Sequence, residues 1–417
     1  MNILVLTPVV PYPPHDGDKL RLFHFLTQLK SRGHKIDLFC LTRVESDFRY
    51  ATDLWKICRS VHLHRLTNLD LFFNLIGGVM LGQSLNVSGY FSPDLRESLK
   101  AFWQTDNGKS IEVVLAHRLR MAPAAFEHNP GKPVVLDLTD CLTAYTELLR
   151  ERPGVPFTRK IAAGWDYWFL RKEEVEWTER VFQSFIISEP DAQALRELGA
   201  PPEKVSIIPN GVGLGSGVKG KRPDGYPEKR PPDGTRGRPV VCFVGNMGYA
   251  PNEEGALWFL NEVWPRVKAA VPQALFAAVG GQPRSVLKKF HDGKDVVVTG
   301  WVPEIEPYVI HADVSIAPLR IAAGMQNKVA LSLALGVPTV TTSSAAGWMP
   351  PQGRKFVQIA DGEELFAAKV AEALLKPRPA KALALRGKKF ILKNYRWAES
   401  GKKLEDILKR AVHAGKL

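Results

Sequence analysis

VTGWVPEIEPYVIHADVSIAPLRIAAGMQNKVALSLALGVPTVTT (298–342) decides the fold. It spells strand, loop, helix and strand, then a glycine-containing turn into a second helix that ends at Gly336 and passes into another strand. Strands alternating with helices at this spacing build a parallel sheet covered on both faces. The turn places Arg320, Gly324 and Lys328 within nine residues. A helix start offers N–H groups that lack intrahelical partners, and glycine lets a ligand approach the backbone closely. Two cations beside that start suit a diphosphate, and would stabilise it as a leaving group. The pattern predicts a nucleotide-sugar or another phosphorylated donor.

Working outward, the second half repeats the same alternation. PVVCFVGNM (239–247) and QALFAAVGG (273–281) are predicted strands around a helix over 253–271, and DVVVTGWV, ADVSIAPL and VPTVTT continue the sheet. The first half opens with the strand NILVLTPVV (2–10), the loop PYPPHDGDK (11–19) and a helix over 20–33. HKIDLFCLTR (34–43), IEVVLAH (111–117), PVVLDLTD (133–140) and SFIIS (184–188) are further strands, with a long helix over 160–182. Two such series predict an α/β chain of two Rossmann-like domains facing a central cleft. The expected bounds are 1–211 for the first domain, 212–238 for a linker and 239–397 for the second. A last amphipathic helix at about 398–417 returns to the first domain.

The linker carries 11 Gly or Pro among its 27 residues and is predicted to be flexible, without a packed core. Net charge is +13, of which residues 376–417 hold +10 and 212–238 hold +4. A nucleic-acid binder carries its basic stripe on a folded binding face; here the charge sits on a tail and a linker, so no nucleic-acid partner is expected. The tail is instead suited to an anionic membrane surface. The most apolar stretch, LFFNLIGGVMLG (71–82), is too short to span a bilayer. No signal-peptide pattern opens the chain, and a cytoplasmic protein, at most peripheral at the inner face of the cell membrane, is expected. Cys40, Cys58, Cys141 and Cys242 show no metal-ligand spacing, so neither metal nor disulfide is expected.

PYPPHDGDKLR (11–21), IPNGV (208–212), FVGNMGYAPNEEGALWF (243–259), VTGWVPEIEPY (298–308), PLRIAAGMQNKV (318–329) and NYRW (394–397) together resemble the family-4 glycosyltransferases of the GT-B fold. They are most similar to the sugar transferases found with exosortase and exopolysaccharide gene clusters. The resemblance implies a metal-independent, retaining hexosyltransferase-like enzyme of polysaccharide biosynthesis that needs no cofactor. A nucleotide-sugar donor would sit in the second domain, and a glycan or lipid-linked acceptor in the first. The departing diphosphate would take the acceptor proton in a front-face substitution, which needs oriented charge more than a strong base.

The same resemblance assigns expected roles. Arg320 and Lys328 hold the diphosphate, and Gly324, Gln326 and Asn327 shape the turn around it. Gly300, Trp301 and Val302 line the nucleotide base. Asn246 and Asn252 stand where many relatives place a basic pair, so Arg320 and Lys328 carry more of the charge. His117, at a strand end, contacts the transferred sugar. Asp16 and Gly17 in the first loop, and Asp140 after PVVLDLT, face donor or acceptor hydroxyls. Leu331 stands where relatives have the glutamate that bonds the ribose, and Ala323 replaces an upstream glutamate that contacts the sugar. Those two losses leave a second reading, a catalytically weak or inactive GT-B protein acting as a binding partner. A nicotinamide-dependent oxidoreductase is excluded, because neither half supplies GxGxxG after a strand with an acidic residue about 20 positions on.

Overall fold

A computed structural model describes residues 1–14, 17–151, 156–213, 222–223, 226–227 and 237–415. Asp16 and most of the predicted linker lie outside the described residues. The chain divides into two compact units, Met1–Asn210 with Trp397–Leu417, and Gly211–Arg396.

The first unit is a seven-stranded parallel sheet. Its strands are β1 (Asn2–Thr7), β2 (Lys35–Thr42), β3 (Ser60–Arg65), β4 (Val113–His117), β5 (Val134–Thr139), β6 (Gln183–Ile186) and β7 (Val205–Ile207). Their order is β3-β2-β1-β4-β5-β6-β7. Alternate residues of β1 serve opposite layers: Ile3 and Val5 join one buried cluster, Leu4 and Leu6 the other. That two-sided demand explains why the strands are almost continuously apolar. The helix α1 (Gly17–Ser31) buries Leu22, Phe25, Leu26 and Leu29 against the first face. The long helix Phe157–Arg180 contributes Leu170 to the second. On the first face the last helix, Trp397–Ala414, adds Leu404, Ile407, Leu408 and Ala411. Trp397 stacks on His24 with ring centroids 4.3 Å apart, and Ser400 Oγ donates to the Pro209 carbonyl at 2.7 Å.

The second unit is a six-stranded parallel sheet of β8 (Val240–Val244), β9 (Leu275–Val279), β10 (Val296–Val298), β11 (Val314–Ala317), β12 (Thr339–Thr341) and β13 (Gln358–Ile359). The order is β10-β9-β8-β11-β12-β13. In each sheet the first strand pairs on one side with the next in sequence and on the other with a later strand. The chain therefore winds outward in both directions, and the point of reversal is where such sheets bind ligands, at the carboxyl ends of the strands.

Two expectations need correction. The linker is not wholly unpacked: Tyr226 is buried and packs edge-on against Tyr308, ring centroids 5.3 Å apart. The helix expected over 253–271 is interrupted by a π turn, Phe259–Val263, just ahead of Pro265. Proline supplies no N–H, and widening the helix there relieves the missing bond. The apolar stretch 71–82 is mostly an independent helix, Asn68–Met80, begun by a reciprocal cap between Thr67 and Asp70. Among the described residues no helix is long and apolar enough to cross a membrane.

Candidate functional site

In the second unit the carboxyl ends of β8 and β11 converge on the start of the helix Asn327–Leu335. Backbone bonds join the two glycine turns after β8 and β9: Met247 N donates to the Gly281 carbonyl at 2.8 Å and Gly245 N to that of Val279 at 3.0 Å. A side chain at Gly280 would collide with the Gly245 carbonyl oxygen, so only glycine allows this approach. The turn after β11 is held by Ala322 N donating to Ser344 Oγ at 2.8 Å, and by Gln326 Nε2 donating to the Ala323 carbonyl at 2.9 Å. Gly324 there has φ +62°, which glycine adopts without steric cost. Gln326 precedes the helix but its side chain does not cap it. At the far end Gly336, also left-handed, closes the helix.

Lys328 projects from the first turn of that helix. Its Nζ donates to Asn252 Oδ1 at 2.9 Å and Gln326 Oε1 at 3.3 Å, and lies 5.7 Å from the centre of the Phe243 ring. Asn252 is in turn fixed by its Nδ2 donating to the Asn246 carbonyl at 2.8 Å, and Asn246 Oδ1 accepts from Gly248 N at 3.0 Å. The side-chain amides of Asn252 and Gln326 thus orient the lysine, and the Asn246 carbonyl holds Asn252 in place. Although its long side chain is only partly covered, the ammonium is enclosed, and burial pushes its pKa down to about 8. No described carboxylate forms an ion pair with it. A desolvated cation held by neutral oxygens at a helix start is chemically suited to take an anion. Arg320 stands exposed at the end of the strand segment leading into the turn.

Trp301 lies beside Gly281, about 64% exposed. Gly300 is left-handed, and its carbonyl accepts from Gly280 N at 3.2 Å. Val302 and Leu331 each pack against the buried cluster that includes Val244, Val279 and Val309. Leu331 is therefore a packing residue in this structure, and Asn327 opens the helix.

In the first unit the carboxyl ends of β4 and β5 carry an ionic cluster. His117, fully buried, bonds through Nδ1 to Asp137 Oδ2 at 2.9 Å, while its Nε2 is buried with no partner. Buried Arg21, from α1, grips Asp137 through Nε (2.9 Å) and Nη2 (3.0 Å), and its Nη1 donates to the Ile208 carbonyl and Asn210 Oδ1, both at 2.9 Å. Burial raises the Asp137 pKa, but Arg21 and then His117 outweigh it and hold the carboxyl well below the usual range. A charged Asp137 accepts from His117 Nδ1–H, and Nε2 points away from that carboxylate.

Arg118 follows directly. It pairs with Asp18 and reaches Asp140 at 3.5 Å. Burial raises the pKa of Asp18 too, yet Arg118 lowers it overall; at Asp140 burial wins over Arg118 and the pKa is raised. Arg118 (φ +71°) and Thr139 (φ +68°) both occupy the left-handed region at these strand ends. Such strain costs roughly 1–3 kcal/mol per residue and gathers at functional sites. Just after Asp140, buried Glu174 accepts from the N–H groups of Leu142 (2.7 Å) and Thr143 (3.0 Å), fixing the helix that begins there. Gly17, exposed at the start of α1, adjoins Asp18.

The structure thus brings Asn246, Gly324, Gln326, Asn327 and Lys328 to one helix start in the second unit, and His117 and Asp140 to one sheet end in the first. Sequence reading missed Arg21, Asp137, Arg118 and Asp18. The signal was present: an aspartate inside VVLDLT and an arginine inside LRLFHFL are charges in apolar runs, which need each other.

Residues 238–376 match the family described as Glycosyl transferases group 1. This segment is a group 1 glycosyltransferase domain. The enzyme class expected from the sequence is met in that glycosyltransferase domain, which holds the Lys328 site. Among curated relatives, a GDP-mannose-dependent alpha-(1-6)-phosphatidylinositol monomannoside mannosyltransferase of Mycolicibacterium smegmatis is 25% identical over 201 residues, 45% of this chain and 52% of that enzyme. The chain thus spans about half of that relative's length. An uncharacterized 44.6 kDa protein in the cps region of Klebsiella pneumoniae is 22% identical over 94% of this chain and 96% of its own. Among solved structures, sucrose-phosphate synthase from Thermosynechococcus elongatus superposes with a TM-score of 0.70 at 14% identity, over 99% of this chain and 100% of that one. Anabaena Alr3699/HepE, in complex with UDP and glucose, gives 0.67 at 13% identity, over 98% and 100%. The two-unit architecture is the GT-B fold.

Proposed function

We propose that this protein transfers a sugar, with retention, from a nucleotide-sugar to a glycan or lipid-linked acceptor in the synthesis of a surface polysaccharide. The second unit takes the donor. Its diphosphate lies against the start of the helix Asn327–Leu335, with Lys328 and Arg320 as counter-charges and Gly324 admitting the phosphates to the backbone. Trp301 offers an exposed ring to the base. In the first unit His117 Nε2 bonds a hydroxyl of the transferred sugar, and Asp140 and Gly17 meet the acceptor. The diphosphate oxygen takes the acceptor proton as the glycosidic bond to the donor breaks, so no strong protein base is required.

Lys328 carries the reading: an enclosed ammonium without a carboxylate partner among the described residues, positioned by two amides where a helix presents its N–H groups. The bound UDP of the Anabaena structure and the GDP-mannose dependence of the mycobacterial relative support a nucleotide-sugar donor. The cps-region relative supports a polysaccharide role, and the basic stretch 376–417 favours an anionic membrane surface. Thermal-shift screening against UDP-, GDP-, ADP- and dTDP-sugars tests this. One should stabilise the protein by mass action and be turned over with an acceptor; stabilisation without turnover would point to a binding protein, and no stabilisation would remove the donor reading.

A further inference from the structure

The helix Asn68–Met80 shows water an apolar face. Leu69, Phe72, Phe73, Ile76, Val79 and Met80 are all exposed, Met80 by 82%. Its one charge is Asp70, used in the helix cap. Single exposed apolar residues are ordinary, but a whole helix face of them marks a binding surface. Beneath the helix lies a cavity of about 310 Å³, walled by Phe73, Gly77, Leu81, Val87, Tyr90 and Leu95. A dry cavity half that size holds a benzene ring. Gly77 stands on its wall, where an added Cβ would meet nothing within 4 Å.

Two arginines, with Asn74, Gln83, Ser88 and Ser92, also line this largely apolar cavity. Arg96 is answered: its Nε pairs with Glu127 at 2.6 Å and its guanidinium stacks on Phe91. Arg120 is not. It bonds Asn86 Oδ1, lies over the Tyr90 ring and feels Asp18 and Asp166 from farther off, but no described carboxylate lies within ion-pair distance and its Nε is buried without a partner. Arg120 is two residues beyond Arg118, so the cavity adjoins the strand-end cluster.

We propose that this cavity seats the hydrocarbon chain of a phosphate-bearing lipid, with Arg120 binding the phosphate and the face of Asn68–Met80 lying in the membrane surface. The occupant follows from the combination: an apolar chamber asks for a chain, and an unanswered guanidinium at its wall asks for an anion. In the glycosyl-transfer reading, on which only the ligand's use rests, this is where a lipid-linked acceptor is anchored.

Calorimetry with octyl phosphate, decyl phosphate, octyl glucoside and inorganic phosphate, below micelle-forming concentrations, tests the site. Each added methylene should tighten alkyl phosphate binding about fourfold, so decyl should exceed octyl by roughly tenfold or more. Gly77→Leu, which fills the chamber while favouring helix, should remove that chain-length gain. Phe73→Ala, at an exposed wall position, should reduce it without unfolding the unit. Arg120→Gln should weaken octyl phosphate about tenfold or more and leave octyl glucoside unchanged. A chain-length gain that survives both wall variants would overturn the proposal, as would equal affinity for octyl phosphate and octyl glucoside or no alkyl phosphate binding. Nucleoside diphosphate binding, measured on the same samples, separates a failure here from a failure of the donor reading.

Discussion

Arg21 on α1 grips Asp137 on β5 with two nitrogens, and the same carboxylate takes the Nδ1 side of His117 at 2.9 Å. One buried carboxylate therefore ties the first helix to the strand-end histidine. Asp137 is held below its ordinary pKa of about 3.9. The stability it lends is complete above that value and is lost as pH falls through its lower folded value. Asp137→Ala leaves Arg21 as an unpaired buried charge and should cost about 3–5 kcal/mol at neutral pH. Urea unfolding between pH 2.5 and 7 checks this: the wild-type advantage over the variant should shrink toward the acid end.

His117→Asn keeps a short amide near Asp137 but removes the buried Nε2. If that atom bonds the transferred sugar, turnover should fall about 10- to 100-fold while affinity for the nucleoside diphosphate stays within twofold. Steady-state kinetics with calorimetry on the same variant separates the two effects.

Leu331 lies three residues past Lys328, on nearly the same helical face, and packs against the cluster around Val244 and Val309. Leu331→Glu restores a carboxylate where the resembled family bonds ribose. The variant should bind the preferred nucleoside diphosphate roughly 10- to 100-fold more tightly, and a 2′,3′-dideoxy analogue should not share the gain. An equal gain for both nucleotides would place the ribose elsewhere.

Burial lowers the Lys328 pKa to about 8, so the free protein loses this cation as pH rises through that value. A bound diphosphate favours the charged form and raises the pKa again. Nucleotide binding near pH 8 should take up protons, visible as a binding enthalpy that depends on the buffer's ionisation heat. Affinity should decline between pH 7.5 and 9.5, by no more than tenfold per unit. Lys328→Arg, charged throughout this range, should flatten the decline.

Both sheets were legible in the sequence because strands buried on two faces must be apolar throughout, as in NILVLT and VVCFV. Two edge strands were not: Ser60–Arg65 alternates histidines with apolar residues and is partly exposed, and Gln358–Ile359 is too brief to show a period. The helix start at Lys328 was legible from glycine and charge spacing alone. Its amide support was not, because Asn252 meets Lys328 across 76 residues of sequence. Arg21 and Asp137 likewise join over 116 residues, a contact that only the folded sheet supplies.

The central claim is that Lys328 is the receptor for a donor diphosphate, and calorimetry on wild type and Lys328→Ala tests it most directly. Using the nucleoside diphosphate and monophosphate of the donor that stabilises the protein, the substitution should weaken the diphosphate about 10- to 100-fold, from roughly 1.5–3 kcal/mol for a charged hydrogen bond. The monophosphate should lose distinctly less. Equal losses for both nucleotides, or no loss for either, would contradict the assignment and place the anion elsewhere.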